Sequence, residues 1–306
     1  MKITCNAMIM VTFTLTATSS FAQELTGAAT LGFGLSDVSD ISEDIDTLTL
    51  NGRFGLAAAN GFRFGVDLNS IKGSFEDTSE DVTATLFGAY GGYQFEGGGT
   101  AGGYIERANL DTGSLLGDLS ANSYGLLGGY DFEGGGVGGF VGMTTTDPDL
   151  PDDVDIYDYG IKLKFAASDK FTMGISAVRT TISGPGDEVG LGFYGIAGSY
   201  TVTETVSIFG GLSTSTLDDV DADLTSFGIG VNYDLAEATG VNASLSMELA
   251  RSNLSIGGTD GSIDTVRFGF SIPLGKSDFS VPLNSVADAV INPRHSVISS
   301  TVLAAF

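Results

Sequence analysis

Residues 91–104 read GGYQFEGGGTAGGY and residues 128–140 read GGYDFEGGGVGGF. The two stretches stand 37 residues apart, Glu96 to Glu133, and share one plan. Aromatics lead to an acid, three glycines follow, and small residues run on to another aromatic. A phosphate-cradling loop, a flexible linker and a tight turn between strands would each use such glycines. A phosphate loop needs a helix behind the glycines and usually a Lys beside them. Here an alternating segment follows and the nearest Lys is far off.

That alternation recurs along the chain. In LTLNGRFGL (48–56), Leu48, Leu50, Phe54 and Leu56 share one face, with Thr49, Asn51 and Arg53 on the other. FRFGVDLN (62–69) sets Phe62, Phe64, Val66 and Leu68 against Arg63, Asp67 and Asn69. YDYGIKLKF (157–165) sets Tyr157, Tyr159, Ile161, Leu163 and Phe165 against Asp158, Lys162 and Lys164. FGIGVNYDL (227–235), VNASLSMEL (241–249) and VRFGFSI (266–272) repeat it, the last with Arg267 and Ser271 opposite its apolar side. A period of two is strand period. About fourteen such segments, each roughly 9–14 residues long, begin near 25, 46, 61, 82, 98, 122, 136, 156, 170, 190, 205, 224, 240 and 263. Short connections (57–60, 96–99, 133–136, 166–169, 202–204, 235–239) alternate with longer acid-rich ones (36–46, 74–81, 108–121, 145–155, 180–189, 214–223, 252–262). Each EGGG therefore closes a hairpin on the short-turn side, where glycine accepts positive φ at little cost.

The totals exclude several classes. A net charge of −25, from 38 acids against 13 bases, argues against nucleic acid as a partner. Six prolines and 42% apolar residues argue against wholesale disorder. Residues 1–22 carry Lys2, an apolar stretch over 7–17 and the end Ser20-Phe21-Ala22, which reads as a secretory signal peptide cleaved before Gln23. The single cysteine, Cys5, precedes that apolar stretch and leaves with the signal. Disulfide and thiol chemistry are then absent from the remainder. No later segment has the ~18 continuous apolar residues of a membrane helix.

Alternating strands also build soluble sandwiches and barrels. Four features favour a membrane barrel. The apolar face is nearly free of charge and recurs in almost every strand. Tyr93, Phe95, Tyr130, Phe132, Phe165, Phe171, Tyr200 and Tyr233 cluster beside the short turns as an aromatic girdle. Short turns alternate with longer loops. Strand lengths near 9–11 residues suit a tilted crossing of the hydrocarbon layer.

On these residues the chain resembles the Gram-negative outer-membrane porin-like β-barrels, of the acidic alphaproteobacterial type, over roughly 25–275. It also ends on an aromatic, Phe306. The resemblance implies an all-β, transmembrane, antiparallel up-and-down barrel in the cell outer membrane. Short turns would be periplasmic and the acidic loops extracellular. Two departures stand out. Segment 108–121 is hardly longer than its neighbours, whereas trimeric general porins carry a long third loop into the pore. Phe306 follows a 31-residue tail, 276–306, instead of ending a strongly alternating strand. The barrel is expected over 23–275 with fourteen strands, leaving the tail periplasmic or lumenal. In the alternative, 278–287 and 296–306 add two strands and make sixteen.

With the apolar face toward lipid, Arg53, Arg63, Lys162, Lys164 and Arg267 point into the lumen with Asp67, Asp131, Asp158, Asp234 and Glu248. Arg53, Arg63 and Arg267 could form a basic strip, with Lys162 and Lys164 on the opposite wall, biasing ion passage; the alternative is solvated lumen charges with no particular role. Lys72, Arg107, Lys170, Arg179 and Arg251 fall at strand ends, where long stems snorkel to headgroup level. Divalent cations would bridge the acidic loops to lipopolysaccharide. The Asp runs at 147–155 and 218–223 lack the Gly and closing Glu of an EF-hand loop, so no specific metal site is expected. Neither is an enzyme: the lone histidine, His295, has only Ser296 beside it, and a nucleophile and base must converge in space. No cofactor is implied. The functions in competition are a porin passing ions and small hydrophilic solutes, and a structural or adhesive barrel with an occluded lumen. Transport of apolar solutes would want an N-terminal plug, and Leu25 follows the cleavage site almost at once. Homo-oligomer formation is open. Whether 276–306 enters the lumen separates the first two.

Overall fold

The computed structural model describes residues 23–39, 44–75, 81–113, 117–151, 153–218, 220–275 and 281–306. The expected signal peptide lies outside these residues. Fourteen strands close into one antiparallel barrel. They are β1 (Gln23–Val38), β2 (Asp44–Ala58), β3 (Phe62–Phe75), β4 (Asp81–Gln94), β5 (Gly99–Asp111), β6 (Asp118–Phe132) and β7 (Gly135–Asp147). The second half comprises β8 (Asp155–Ser168), β9 (Phe171–Ser183), β10 (Glu188–Thr201), β11 (Val206–Leu217), β12 (Ala222–Asp234), β13 (Ser244–Ile256) and β14 (Thr259–Gly275). Each strand pairs with its predecessor, and β14 returns to β1 with Phe268 opposite Phe33. Closure leaves no sheet edge unpaired, which is what a strand-built membrane crossing requires.

Alternation decides which side chains face out. Leu31, Phe33, Leu48, Leu50, Phe268 and Phe270 stand exposed on the outer surface, while Thr30, Thr49, Asn51 and Ser271 between them are buried on the inside. Such a continuous outward apolar surface suits hydrocarbon and not water. All eight girdle aromatics are outward and exposed at the rim of short turns. Phe62, Tyr93 and Phe95 extend the band in edge-to-face pairs at 5.4 and 5.2 Å.

The triple glycines do close hairpins. Gly98 (φ 87°) donates its N–H to Phe95, and Glu133-Gly134 (φ 82° at Gly134) form a two-residue turn between β6 and β7. At the other rim the strands run on into acid-rich sequence. The connection read at 252–262 shrinks to Gly257-Gly258, because β13 reaches Ile256 and β14 begins at Thr259. Beyond the apolar band both strand faces are wet, so polarity no longer marks where the ladder stops. The short turn read at 235–239 instead contains a single helical turn, α1 (Ala236–Thr239), whose Ala236 N–H is accepted by Asp234.

Among the described residues the tail adds no strands. Residues 281–306 form two short helices inside the barrel, α2 (Val286–Ile291) and α3 (Val297–Ala305). The sixteen-strand alternative is thereby corrected: β1 and β14 already complete the ring. Neither helix is long and apolar enough to cross a membrane, nor is any other among the described residues.

Candidate functional site: an occupied lumen and its vestibule

The tail folds as helix because its polar residues cap helix starts. Ser285 Oγ accepts the Asp288 N–H at 3.1 Å, and Ser296 Oγ accepts the Ser299 N–H at 3.2 Å. Both helices then need a surface, which the inner wall of β9–β12 supplies. Gly174, Ala197, Gly211 and Gly228 are successive cross-strand partners in one row. A Cβ at Gly174 would stand 2.8 Å from Ile291 Cγ1, and one at Gly211 2.8 Å from the backbone N and Cα of Ala287. At Gly195 it would stand 2.5 Å from a Val290 methyl, and at Gly228 2.9 Å from a Val286 methyl. The wall is stripped of side chains where α2 lies. Beside this row Val178, Phe193 and Phe209 point inward, fully buried with Ala287, Val290, Ile291, Val297 and Ala304. The lumen is thus partly apolar where the tail lies.

Wall charges pin the tail at both ends. Glu248 accepts the Val286 N–H at the start of α2, and Arg267 Nη1 donates to Glu248 at 3.2 Å. Arg267 Nη2 also donates to the Ala305 and Ala304 carbonyls, at 2.7 and 3.3 Å, at the end of α3. The Arg267 and Glu248 side chains are both 3% exposed.

Across the lumen the contacts are ionic. Arg53 donates to both Asp288 oxygens, at 2.7 and 3.0 Å, and through Nε to Asp67 at 2.9 Å. Arg294 of the tail pairs with the other Asp67 oxygen at 3.3 Å and bonds Asn69, which in turn donates to Asn51. His295 lies flat on Tyr104, ring centroids 3.7 Å apart, with Nδ1 3.2 Å from Glu106. The Val297 N–H is accepted by Thr180, whose hydroxyl bonds Asp158.

The ten residues read as pore-lining therefore divide. Arg53, Asp67, Glu248 and Arg267 hold the tail, and Asp158 is bound by Thr144 and Thr180. Asp234 sits at the turn rim, where it accepts the Ala236 N–H. The basic strip does not form. On β1, Arg53 stands opposite Ala28 and Arg267 opposite Gly34, six residues and ~20 Å apart along the strand. Arg63, Lys162, Lys164 and Asp131 instead meet Arg53 and Asp67 in one cavity of about 690 Å³ opening among the short turns. Arg63 Nε donates to Gln94, which donates onward to Asp131, each at 2.9 Å. Lys162 and Lys164 make no ion pair among the described residues. Their neighbours across β7 are Gly138 and Gly136, so the second EGGG repeat leaves this part of the wall bare and makes room for the vestibule.

Asp288, Arg294, Asn69, Glu106 and Tyr104 were not singled out from sequence. Strand parity put Asn69 on the polar face with Arg63 and Asp67, but nothing local says what stands opposite. At the acidic rim, Lys72 pairs with Asp81 at 2.7 Å, Arg251 with Asp264 at 3.5 Å, and Arg179 with Asp218.

No protein-family model and no curated protein sequence matches the chain. Among solved structures it is similar in fold to an anion-selective porin from Comamonas acidovorans. The TM-score is 0.52 at 11% identity, over 83% of this chain and all of that one. A Pseudomonas aeruginosa FadL homologue aligns at TM-score 0.48 and 11% identity, over 82% of this chain and 89% of the other. A loop-deleted OmpT of Vibrio cholerae aligns at 0.46 and 12%, over 83% and 100%.

Proposed function

We propose that the chain is an outer-membrane channel protein of the porin kind. Its lumen admits ions and small hydrophilic solutes and is occupied at rest by the chain's own C-terminal segment. One observation carries this reading: an uninterrupted apolar exterior encloses a charged vestibule of about 690 Å³. A wall that is apolar outside and charged within separates lipid from water. In this reading the leader 1–22 delivers the chain to the periplasm, and the aromatic rim faces that side. The acidic rim faces outward, where Lys72, Arg107 and Arg251, interleaved with acids, suit lipopolysaccharide phosphates and bridging divalent cations. Homo-oligomers belong to the same proposal. No enzyme activity or cofactor does: Ser296 serves as a helix cap and His295 as a packing partner of Tyr104.

The second reading is a structural or adhesive barrel with a closed lumen. It is favoured by the near-complete burial of Thr49, Asn51, Asn69 and Asp158, inward residues that an open pore would leave wet. Single-channel recording in planar bilayers, on a chain starting at Gln23 and under a salt gradient, separates the two. Ohmic steps, with a reversal potential set by the vestibule charge, support the channel. An inserted barrel that passes no current supports the closed one.

A further inference from the structure

We infer that the vestibule is a binding site for small organic polyanions, such as di- and tricarboxylates. Access to it rests on the membrane-barrel reading; the binding itself does not require conduction.

Charge distribution is the first argument. The chain carries 38 acids against 13 bases, yet five bases collect in this one cavity: Arg53, Arg63, Lys162, Lys164 and Arg294. They face three carboxylates, Asp67, Asp131 and Asp288, the last held by Arg53. Pairing is the second. Asp67 and Asp288 are consumed by Arg53 and Arg294. Asp131 receives a hydrogen bond from the neutral Gln94 amide, and Arg63 donates to the same amide. Lys162 and Lys164 remain, two ammonium groups on one face of β8 with their donors unspent among the described residues.

Shape is the third argument. Gly129, Gly136 and Gly138 line the cavity, so the lysines project over bare backbone and the space is not refilled by neighbours. A single water occupies ~30 Å³ of liquid. The volume here takes an organic anion together with part of its hydration. Tyr90, folded over the Cα of Gly65, lines the same cavity. Confinement between low-dielectric walls strengthens the interaction relative to a free surface. One side of the site belongs to the tail, since Arg294 and His295 line it too. The wall and the tail therefore build it jointly.

The test is isothermal titration of citrate into the refolded full chain, starting at Gln23, in detergent at 0.15 M NaCl. Parent, Lys162→Gln/Lys164→Gln and the control Lys170→Gln, an exposed residue of the β8–β9 turn, are compared. Heat-modifiable gel migration verifies that each barrel is folded. Saturable binding that falls on the order of tenfold or more in the double variant, and is unchanged in the control, is the expected result. Equal affinity in parent and double variant overturns the assignment. So does the absence of saturable binding by a folded barrel, or its complete displacement by raising NaCl alone, which marks diffuse surface charge. Citrate binding by a barrel that carries no current would remove the channel reading and leave this one standing.

Discussion

Replacing Arg267 by Met probes what holds the tail. In the parent, Glu248 and Arg267 are each 3% exposed and share one ion pair. Methionine leaves Glu248 buried with only the Val286 N–H, and it strips the donor from the Ala304 and Ala305 carbonyls. Breaking a buried pair from one side costs ~3–5 kcal/mol. The β13–β14 ladder is backbone-bonded and survives, so the cost is relieved when the tail leaves and water reaches Glu248. The whole penalty then appears in the equilibrium for local opening. At 1.4 kcal/mol per decade, opening rises by about two to three and a half orders of magnitude. Ala304, 1% exposed, provides the reporter: Ala304→Cys introduces the only cysteine in a chain starting at Gln23. Maleimide labelling of that cysteine should accelerate by this factor in the Arg267→Met background. The double change Glu248→Gln/Arg267→Met should recover part of the protection, since no charge is then stranded. Equal labelling rates with and without Arg267 would refute the claim that this pair clamps the tail.

Two further outcomes follow from packing and from the outer face. Gly211→Leu drives a side chain into the backbone of Ala287, 2.8 Å from where its Cβ must sit, so α2 is expelled; labelling at Ala304→Cys should rise, and single-channel conductance should exceed the parent's. Leu126, 68% exposed on β6, faces hydrocarbon in the membrane reading; Leu126→Arg should cost ~2–4 kcal/mol in denaturant unfolding from lipid vesicles, and a neutral effect would deny that this face meets lipid.

The barrel was legible because its rule is local. Leu48, Leu50 and Phe268 need only their own neighbours to declare which way they face, and the hairpin connections then dictate the pairing order. The occupied lumen was not legible for the converse reason. Gly174, Gly211 and Gly228 look like unremarkable strand glycines until register aligns them into one row. Phe193 and Phe209 sit on the inward parity of β10 and β11, a break in alternation that reads as noise without a partner to cover them. The tail offered two weak cues, Ser285 and Ser296 at cap positions. Its many β-branched residues have low helix propensity, and packing overrides that preference. Arg53 was read as inward from its own strand, but Asp288 lies 235 residues away in sequence and reaches it only across the closed lumen.

The two chemistries of the tail have a consequence for the order in which the molecule can assemble. Its apolar contacts fall on β9–β12, strands contiguous in the chain that pair with one another without help from β1. Its ion pairs with the wall fall on β2, β3 and β5, which face it only after the seam between β1 and β14 has shut. A helix seated on the open half-sheet would stand as a former around which the first half wraps. Arg53–Asp288, Asp67–Arg294 and Glu106–His295 would be the last bonds struck, the latches that lock a cylinder already built around its own end.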